Sequence, residues 1–266
     1  MGIRSLTSLI KQKSPDSITT TALYTLKGKK VAIDTSIFLY KSLANVRYNG
    51  DYLRNKYGKI VSHIVGLFNK TIQYLLLGIE PIYIFDGKPP IEKKEVIDDR
   101  NKKANESKLL SEQSTSIEEK QKHEKSSIRI KKYHIDDLKQ LFNLMGVSYI
   151  HPEGEAEAYA SELCRIGYVD YVVTEDMDTL VYGCPKMIRS CLDKSIKRND
   201  VISVIDLNTL LTDFKMNMAE FIDMCILCGC DYCPSIPKVG TIRSYNYIKS
   251  YTTIESLIES EKCPNI

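Results

Sequence analysis

Three short β-branched or aromatic runs in this chain stop on acids. KKVAIDTSIFLY carries VAI and then Asp34, PIYIFDGKPP carries IYIF and then Asp86, and YVVTEDMD carries YVV and then Glu175, Asp176 and Asp178. Runs of this length and composition read as buried strands. A carboxylate at the mouth of a buried strand is expensive unless opposite charge meets it. A fourth run, VSYI at 147–150, leads into HPEGEAEAYASEL, where Glu155 and Glu157 open a helix. Helical stretches lie between the strands: SHIVGLFNKTIQYLLL before Pro81, and YHIDDLKQLFNLM before Gly146. This alternation predicts an α/β fold with a mainly parallel central sheet flanked by helices. In such sheets ligands bind beyond the carboxyl ends of the strands, where all these acids fall.

Asp34, Asp86, Glu155, Glu157, Asp176 and Asp178 are therefore expected to converge on one edge. Their mutual repulsion is a cost that a divalent cation removes. Hard oxygen donors without interleaved His or Cys point to Mg²⁺ or Mn²⁺. Residues two apart do not share a face of a regular helix, so Glu155 and Glu157 act together only at a helix start. Asp176 and Asp178 follow a strand, and alternate residues of an extended segment point the same way. A lone DxD is as readily a polar strand cap. This many acids suggest two ions about 4 Å apart, the clamp used for in-line displacement at phosphorus. Phosphodiester hydrolysis is the reaction such a clamp suits.

The 266 residues allow one large domain or two small ones; 43% are apolar and 27% charged, a globular composition. A formal net charge of +3 decides nothing about nucleic acid, because a basic stripe can coexist with clustered acids. No run has the length and apolarity of a membrane span, and MGIRSLTSLIKQK is amphipathic without a signal-peptide core, so an intracellular protein is expected. Leu6 stands where a myristoylation motif needs Ser or Thr. Cys225, Cys228, Cys230 and Cys233 crowd into CILCGCDYC. Their two CxxC pairs are too close together for a zinc ribbon, and the first lies in an apolar helical stretch, so they read as buried small hydrophobes.

MGIRSLTSLI, VAIDTSIFLYKSL, GIEPIYIFDGKPP, GEAEAYASEL, TEDMDTLVYG and ILCGCDYCPSIPKVG, in this order and at these distances, resemble the structure-specific 5′ nucleases, flap endonuclease most of all. DNA repair exonucleases and nucleotide-excision endonucleases share these motifs. The resemblance covers essentially the whole chain and implies one nuclease domain, 1–266, acting on branched or flapped DNA in the nucleus or another replication compartment. It implies two Mg²⁺ ions, replaceable by Mn²⁺, held by Asp34, Asp86, Glu155, Glu157, Asp176 and Asp178. It adds Asp231 of GCDYC as a seventh ligand, which the spacing of the other acids does not single out.

The stretch from Glu92 to Lys132 mixes lysines, acids and serines, and composition alone favours a solvated insertion, mobile over 105–127 without DNA. The resemblance makes it a helical arch passed by a single-stranded 5′ end, with Lys93 and Arg100 as catalytic cations on one helix face. It implies DNA contacts for Gly2, Arg47, Lys131 and Lys132, and base stacking for Tyr40, which composition alone would place in the core. Residues 220–266 become a helix-hairpin-helix region gripping duplex phosphates through Lys238 and Gly240. There the usual GxG reads Lys238, Val239, Gly240. A lysine at a glycine position implies an altered turn, with its ammonium replacing a K⁺ ion that the hairpin would otherwise hold. The chain given ends at Ile266, leaving no sliding-clamp tail in view. Two rival readings are a haloacid-dehalogenase-type phosphatase, whose DxDxT this chain lacks, and a catalytically silent DNA-binding scaffold.

Overall fold

A computed structural model describes residues 2–3, 5–114, 116–196, 198, 200–233 and 236–262. Strands are β1 (Ile18–Ala22), β2 (Lys30–Asp34), β3 (Arg47–Tyr48), β4 (Asp51–Tyr52), β5 (Glu80–Ile84), β6 (Tyr149–Ile150), β7 (Tyr171–Val173), β8 (Lys186–Ser190) and β9 (Val201–Asp206). Helices are α1 (Leu6–Lys13), α2 (Thr35–Asn45), α3 (Ser62–Leu76), α4 (Lys94–Gln113), α5 (Ile117–Ser126), α6 (Lys132–Met145), α7 (Ala156–Arg165), α8 (Asp178–Val181), α9 (Leu207–Phe214), α10 (Met218–Cys228), α11 (Thr241–Tyr251) and α12 (Ile254–Glu259). The chain divides into two compact units, Met1–Ala32 with Glu157–Ile266, and Ile33–Ala156.

The first unit carries the strand order β1-β9-β8-β7. β7 pairs with β8 in parallel, Val172 opposite Met187, whereas β8–β9 and β9–β1 are antiparallel. The expected sheet of parallel strands flanked by helices is present, and β8, β9 and β1 add an antiparallel edge that makes it mixed. The antiparallel edge escapes a strand–helix reading because β8 returns directly into β9 without a crossover helix. β1, ITTTA, is threonine-rich and half solvated, so its sequence lacks an apolar alternation. The core of this unit joins Leu6, Leu9 and Ile10 of α1 to Met187, Ile205, Leu210, Phe214, Phe221 and Met224. Cys225 and Cys228 sit in that core as small hydrophobes, and burial pushes the Cys225 thiol up.

The second unit orders its strands β2-β5-β6, with Tyr83 opposite Tyr149 in a parallel pair. Tyr83 stacks on Phe142 of α6 with ring centroids 4.1 Å apart, and its hydroxyl meets Thr71 Oγ1 of α3 at 2.8 Å. α3 runs from 62 to 76 and α6 ends at Gly146, whose φ of 66° is the left-handed cap that glycine allows. The polar insertion forms α4 and α5, which pack on each other and bury only Ser111 among their described side chains.

At the base of α3 and α6, His63 Nε2 meets Asp137 Oδ2 at 3.1 Å and its ring lies 4.7 Å from that of His134. Lys59 holds the other Asp137 oxygen at 2.8 Å, and Tyr133 packs on both histidines. Burial, and next the neighbouring His63, lower the His134 pKa to about 4; burial also lowers that of His63. The folded chain thus refuses protons that the unfolded chain accepts below its ordinary histidine pKa of about 6.5. Stability should be full above that pH and decline as pH falls toward 4. Thermal melts at pH 7 and pH 5 are expected to show the decline, and His134→Gln, which keeps an acceptor for the Lys131 amide, should flatten it.

Candidate active site

In the second unit, β2 delivers Asp34 to the first turn of α2. Its carboxylate caps that helix, accepting from the amides of Ser36 at 3.1 Å and Ile37 at 3.4 Å. The Ser36 hydroxyl then donates to Asp86, beyond the end of β5, so one serine ties two acids together. The other Asp86 oxygen accepts from the Ala156 amide at 3.1 Å, at the start of α7. One residue earlier, Glu155 accepts from Lys93 Nζ, in an ion pair whose partners are 11% and 12% exposed. Asp34, Asp86, Glu155 and Lys93 thus form one continuous polar path.

In the first unit, β7 leads to Asp176 and Asp178, each 5% exposed. The pair does not continue the strand, contrary to the expectation of an extended segment. Asp178 is the first residue of α8, and its amide donates to Asp176 Oδ1 at 3.2 Å. A carboxylate turning back onto the backbone two residues on replaces extension with a tight turn. Gly2, at φ 77°, lies against both acids: a Cβ there would collide with Asp176 Oδ1 and Asp178 Oδ1. Glu157 stands in the first turn of α7, and Asp231, 9% exposed, follows the Gly229 cap of α10.

Lys93 ends a 3₁₀ turn, Ile91–Lys93, that runs directly into α4, and Arg100 lies on that helix, exposed. Tyr40 is 42% exposed on α2, with its hydroxyl on the Lys125 carbonyl at 2.9 Å. Arg47 is enclosed, stacked 4.0 Å from the Tyr52 ring. Lys131 and Lys132 are exposed at the start of α6. Lys238 adopts φ 67°. That φ lies in the left-handed region open to any L-residue at a cost of about 1–2 kcal/mol, and is not confined to glycine. Its carbonyl accepts from Arg243 Nη1 at 2.6 Å. Lys238, Gly240 and Arg243 line a groove of about 510 Å³ at the start of α11, a helix without a side-chain cap.

The models for the XPG N-terminal domain and the XPG I-region match residues 1–107 and 146–231. Flap endonuclease 1 of Glycine max is 39% identical over 264 residues, covering 98% of this chain and 69% of that protein. The chain belongs to the XPG and flap endonuclease family. Flap endonuclease 1 of Candida glabrata is 37% identical over 260 residues, covering 97% of this chain and 68% of that one. Flap endonuclease-1 from Methanococcus jannaschii superposes with a TM-score of 0.68 at 31% identity, over 92% of this chain and 77% of its own. The catalytic core of Rad2 in complex with DNA substrate shares the fold, with a TM-score of 0.73 at 24% identity over 96% and 69% of the two chains.

Family membership implies divalent metal ions, and the donors suit them. Asp34, Asp176, Asp178 and Asp231 present hard oxygens from buried positions, and the approach of Gly2 to two of them leaves no room for a side chain. Among the described residues no three His, Cys, Asp or Glu side chains are already drawn together as a cage. Ser36 was missed by sequence reasoning; its signal was Asp34 as a helix cap, which aims the next two amides at the carboxylate. Gly2→Ala is expected to cut phosphodiesterase turnover about a hundredfold, the scale of an ångström misplacement at a reacting centre. A thermal melt should remain within a few degrees of the parent.

Proposed function

We propose that the chain is a structure-specific 5′ flap endonuclease and 5′–3′ exonuclease. It hydrolyses a phosphodiester near a junction in branched DNA and leaves a 5′-phosphate and a 3′-hydroxyl. The observation that carries this reading is the line from Asp34 through Ser36 to Asp86, closing on the Glu155–Lys93 pair, in a chain with flap endonuclease relatives along nearly its whole length.

Asp34, Asp86, Glu155, Glu157, Asp176, Asp178 and Asp231 are the proposed ligands of two Mg²⁺ ions, with Mn²⁺ able to substitute. When bound, such ions lower the pKa of water and stabilise the leaving oxygen. The chain's own groups do the rest. Ser36 fixes the relative orientation of Asp34 and Asp86. Lys93, held by Glu155, and Arg100 supply positive charge to the non-bridging oxygens of the scissile phosphate. The Tyr40 ring stacks on an unpaired base, an interaction worth about 1–3 kcal/mol. Residues 92–132 form the cap passed by the 5′ end, ending in Lys131 and Lys132 on the phosphates. Residues 220–266 form the hairpin region of the same single nuclease domain.

At the hairpin, the open amides of α11, Lys238 and Gly240 hold a duplex phosphate without reading sequence. Arg243 already places a guanidinium on the Lys238 carbonyl, so we propose that binding depends little on K⁺. Action on branched DNA places the protein in the nucleus or another replication compartment.

The test incubates end-labelled flap, nicked and blunt DNA of one sequence with Mg²⁺, beside p-nitrophenyl phosphate. Cleavage confined to DNA with a free 5′ end near a junction is expected, with no phosphatase turnover. Asp178→Asn should lower cleavage by at least a thousandfold, by removing a metal charge, while flap binding stays equal or tightens because repulsion of the phosphates falls. Phosphatase turnover, or near-normal cleavage by Asp178→Asn, would overturn the reading.

A further inference from the structure

In the second unit, α5 is held against the end of α2 and the β3–β4 hairpin by one helix stripe, Gln121, Glu124 and Lys125. Arg47 Nη1 donates to Glu124 Oε2 at 3.2 Å and to the Gly50 carbonyl at 3.2 Å, with the guanidinium over Tyr52. The Tyr40 hydroxyl donates to the Lys125 carbonyl. Gly50 lies so close to Gln121 that a Cβ would strike its side-chain amide. These contacts spacing by three and four residues place one face of α5 on the hairpin.

That hold is polar. None of the described α5 side chains, 118–126, is buried. A cavity of about 680 Å³, lined in part by Tyr52, Ser111, Glu124 and Tyr133, opens beside the helix. A helix whose described side chains bury so little opens at low free energy. Arg47 is 8% exposed, and its Nε and Nη2 have no hydrogen-bond partner among the described residues. A single oxygen of Glu124 therefore leaves most of a buried guanidinium fork unsatisfied, whereas a phosphate offers several oxygens to the same fork.

Resting on the nuclease reading above, we infer that α5 is a latch. Glu124 and the Lys125 carbonyl occupy Arg47 and Tyr40 in the DNA-free chain, and a backbone phosphate of a single-stranded 5′ end displaces Glu124 from Arg47. Glu124 is then a specificity-determining residue, since DNA without a 5′ single strand brings no phosphate to the latch.

The test compares Glu124→Gln with Glu118→Gln, a charge control on the exposed part of the same helix. It reads amide exchange of 118–126 in the free protein, and Kd for flap DNA and for the same nicked duplex lacking a flap. Glu124→Gln is expected to speed exchange and tighten flap binding roughly threefold to fivefold, the range of an ion pair of this exposure, with nicked-duplex binding unchanged. Tyr40→Phe, which keeps the ring, should speed exchange further in the double variant. If Glu118→Gln tightens flap binding equally, or exchange is unaltered in Glu124→Gln, the latch is overturned. If the parent chain neither cleaves nor prefers flap DNA, the nuclease reading falls and the latch with it; parent cleavage with no difference between the two glutamine variants removes the latch alone.

Discussion

Carboxylates set at the ends of buried strands are the constraint on which the remaining structure depends. Asp34, Asp176 and Asp178 are no more than 5% exposed. Taking an ionised carboxylate out of water costs several kcal/mol unless dipoles or charges replace the lost hydration. The fold answers with helix starts. Asp34 caps α2, Asp86 accepts from the first amide of α7, and Asp176 accepts from the Asp178 amide that opens α8, so acids follow strands and helices follow acids. Each helix amino end offers partial positive charge and orphan amides at the place where the strand delivers negative charge. The α/β alternation and the acidic strand ends are thus one feature, and the residual negative charge is what a divalent cation completes.

The same constraint explains features that lie away from the acids. Gly2 reaches Asp176 and Asp178 because α1 is anchored by Leu6, Leu9 and Ile10 in the core of its unit, and any side chain at position 2 would disturb both carboxylates. In the other unit, Ser36 keeps Asp34 and Asp86 in register while Glu155 holds Lys93. The acids are tied by hydrogen bonds and an ion pair; the described side chains of α4 and α5, by contrast, are polar and bury little. On the proposed reading, a well-bonded set of acids beside a lightly held helix suits a substrate that has to be threaded, with the Arg47–Glu124 pair as the proposed latch.

Much of this was legible in the sequence, for a physical reason. Strands β2, β5 and β7 announced themselves because strands covered on both faces read as apolar runs, and their acids stood out against that background. Helices α3 and α6 were marked by apolar period and by Pro81 and Gly146 beyond their ends. The antiparallel edge was not legible: β1 is a half-solvated threonine run, and β8 and β9 lack the intervening helix that signals a parallel crossover. The turn that joins Asp176 to Asp178 was invisible because DxD spacing fits an extended segment and an Asp turn equally well. The resemblance alone gave Arg47 a DNA contact, and nothing local revealed that Glu124, far along the chain, would pair with it.

The central claim is that these buried acids are held ready for a divalent cation, and thermal melting across a Mg²⁺ titration tests it most directly. Ligand that binds only the folded chain raises its melting temperature with concentration. The account predicts that Mg²⁺ raises the melting temperature of the parent chain, whereas Asp176→Asn melts at or above the parent without metal and responds weakly to it, because the substitution removes both a repulsive charge and a ligand. A parent chain indifferent to Mg²⁺, together with an Asp176→Asn variant that is destabilised without metal, would show that the acids serve the fold alone and would contradict the account.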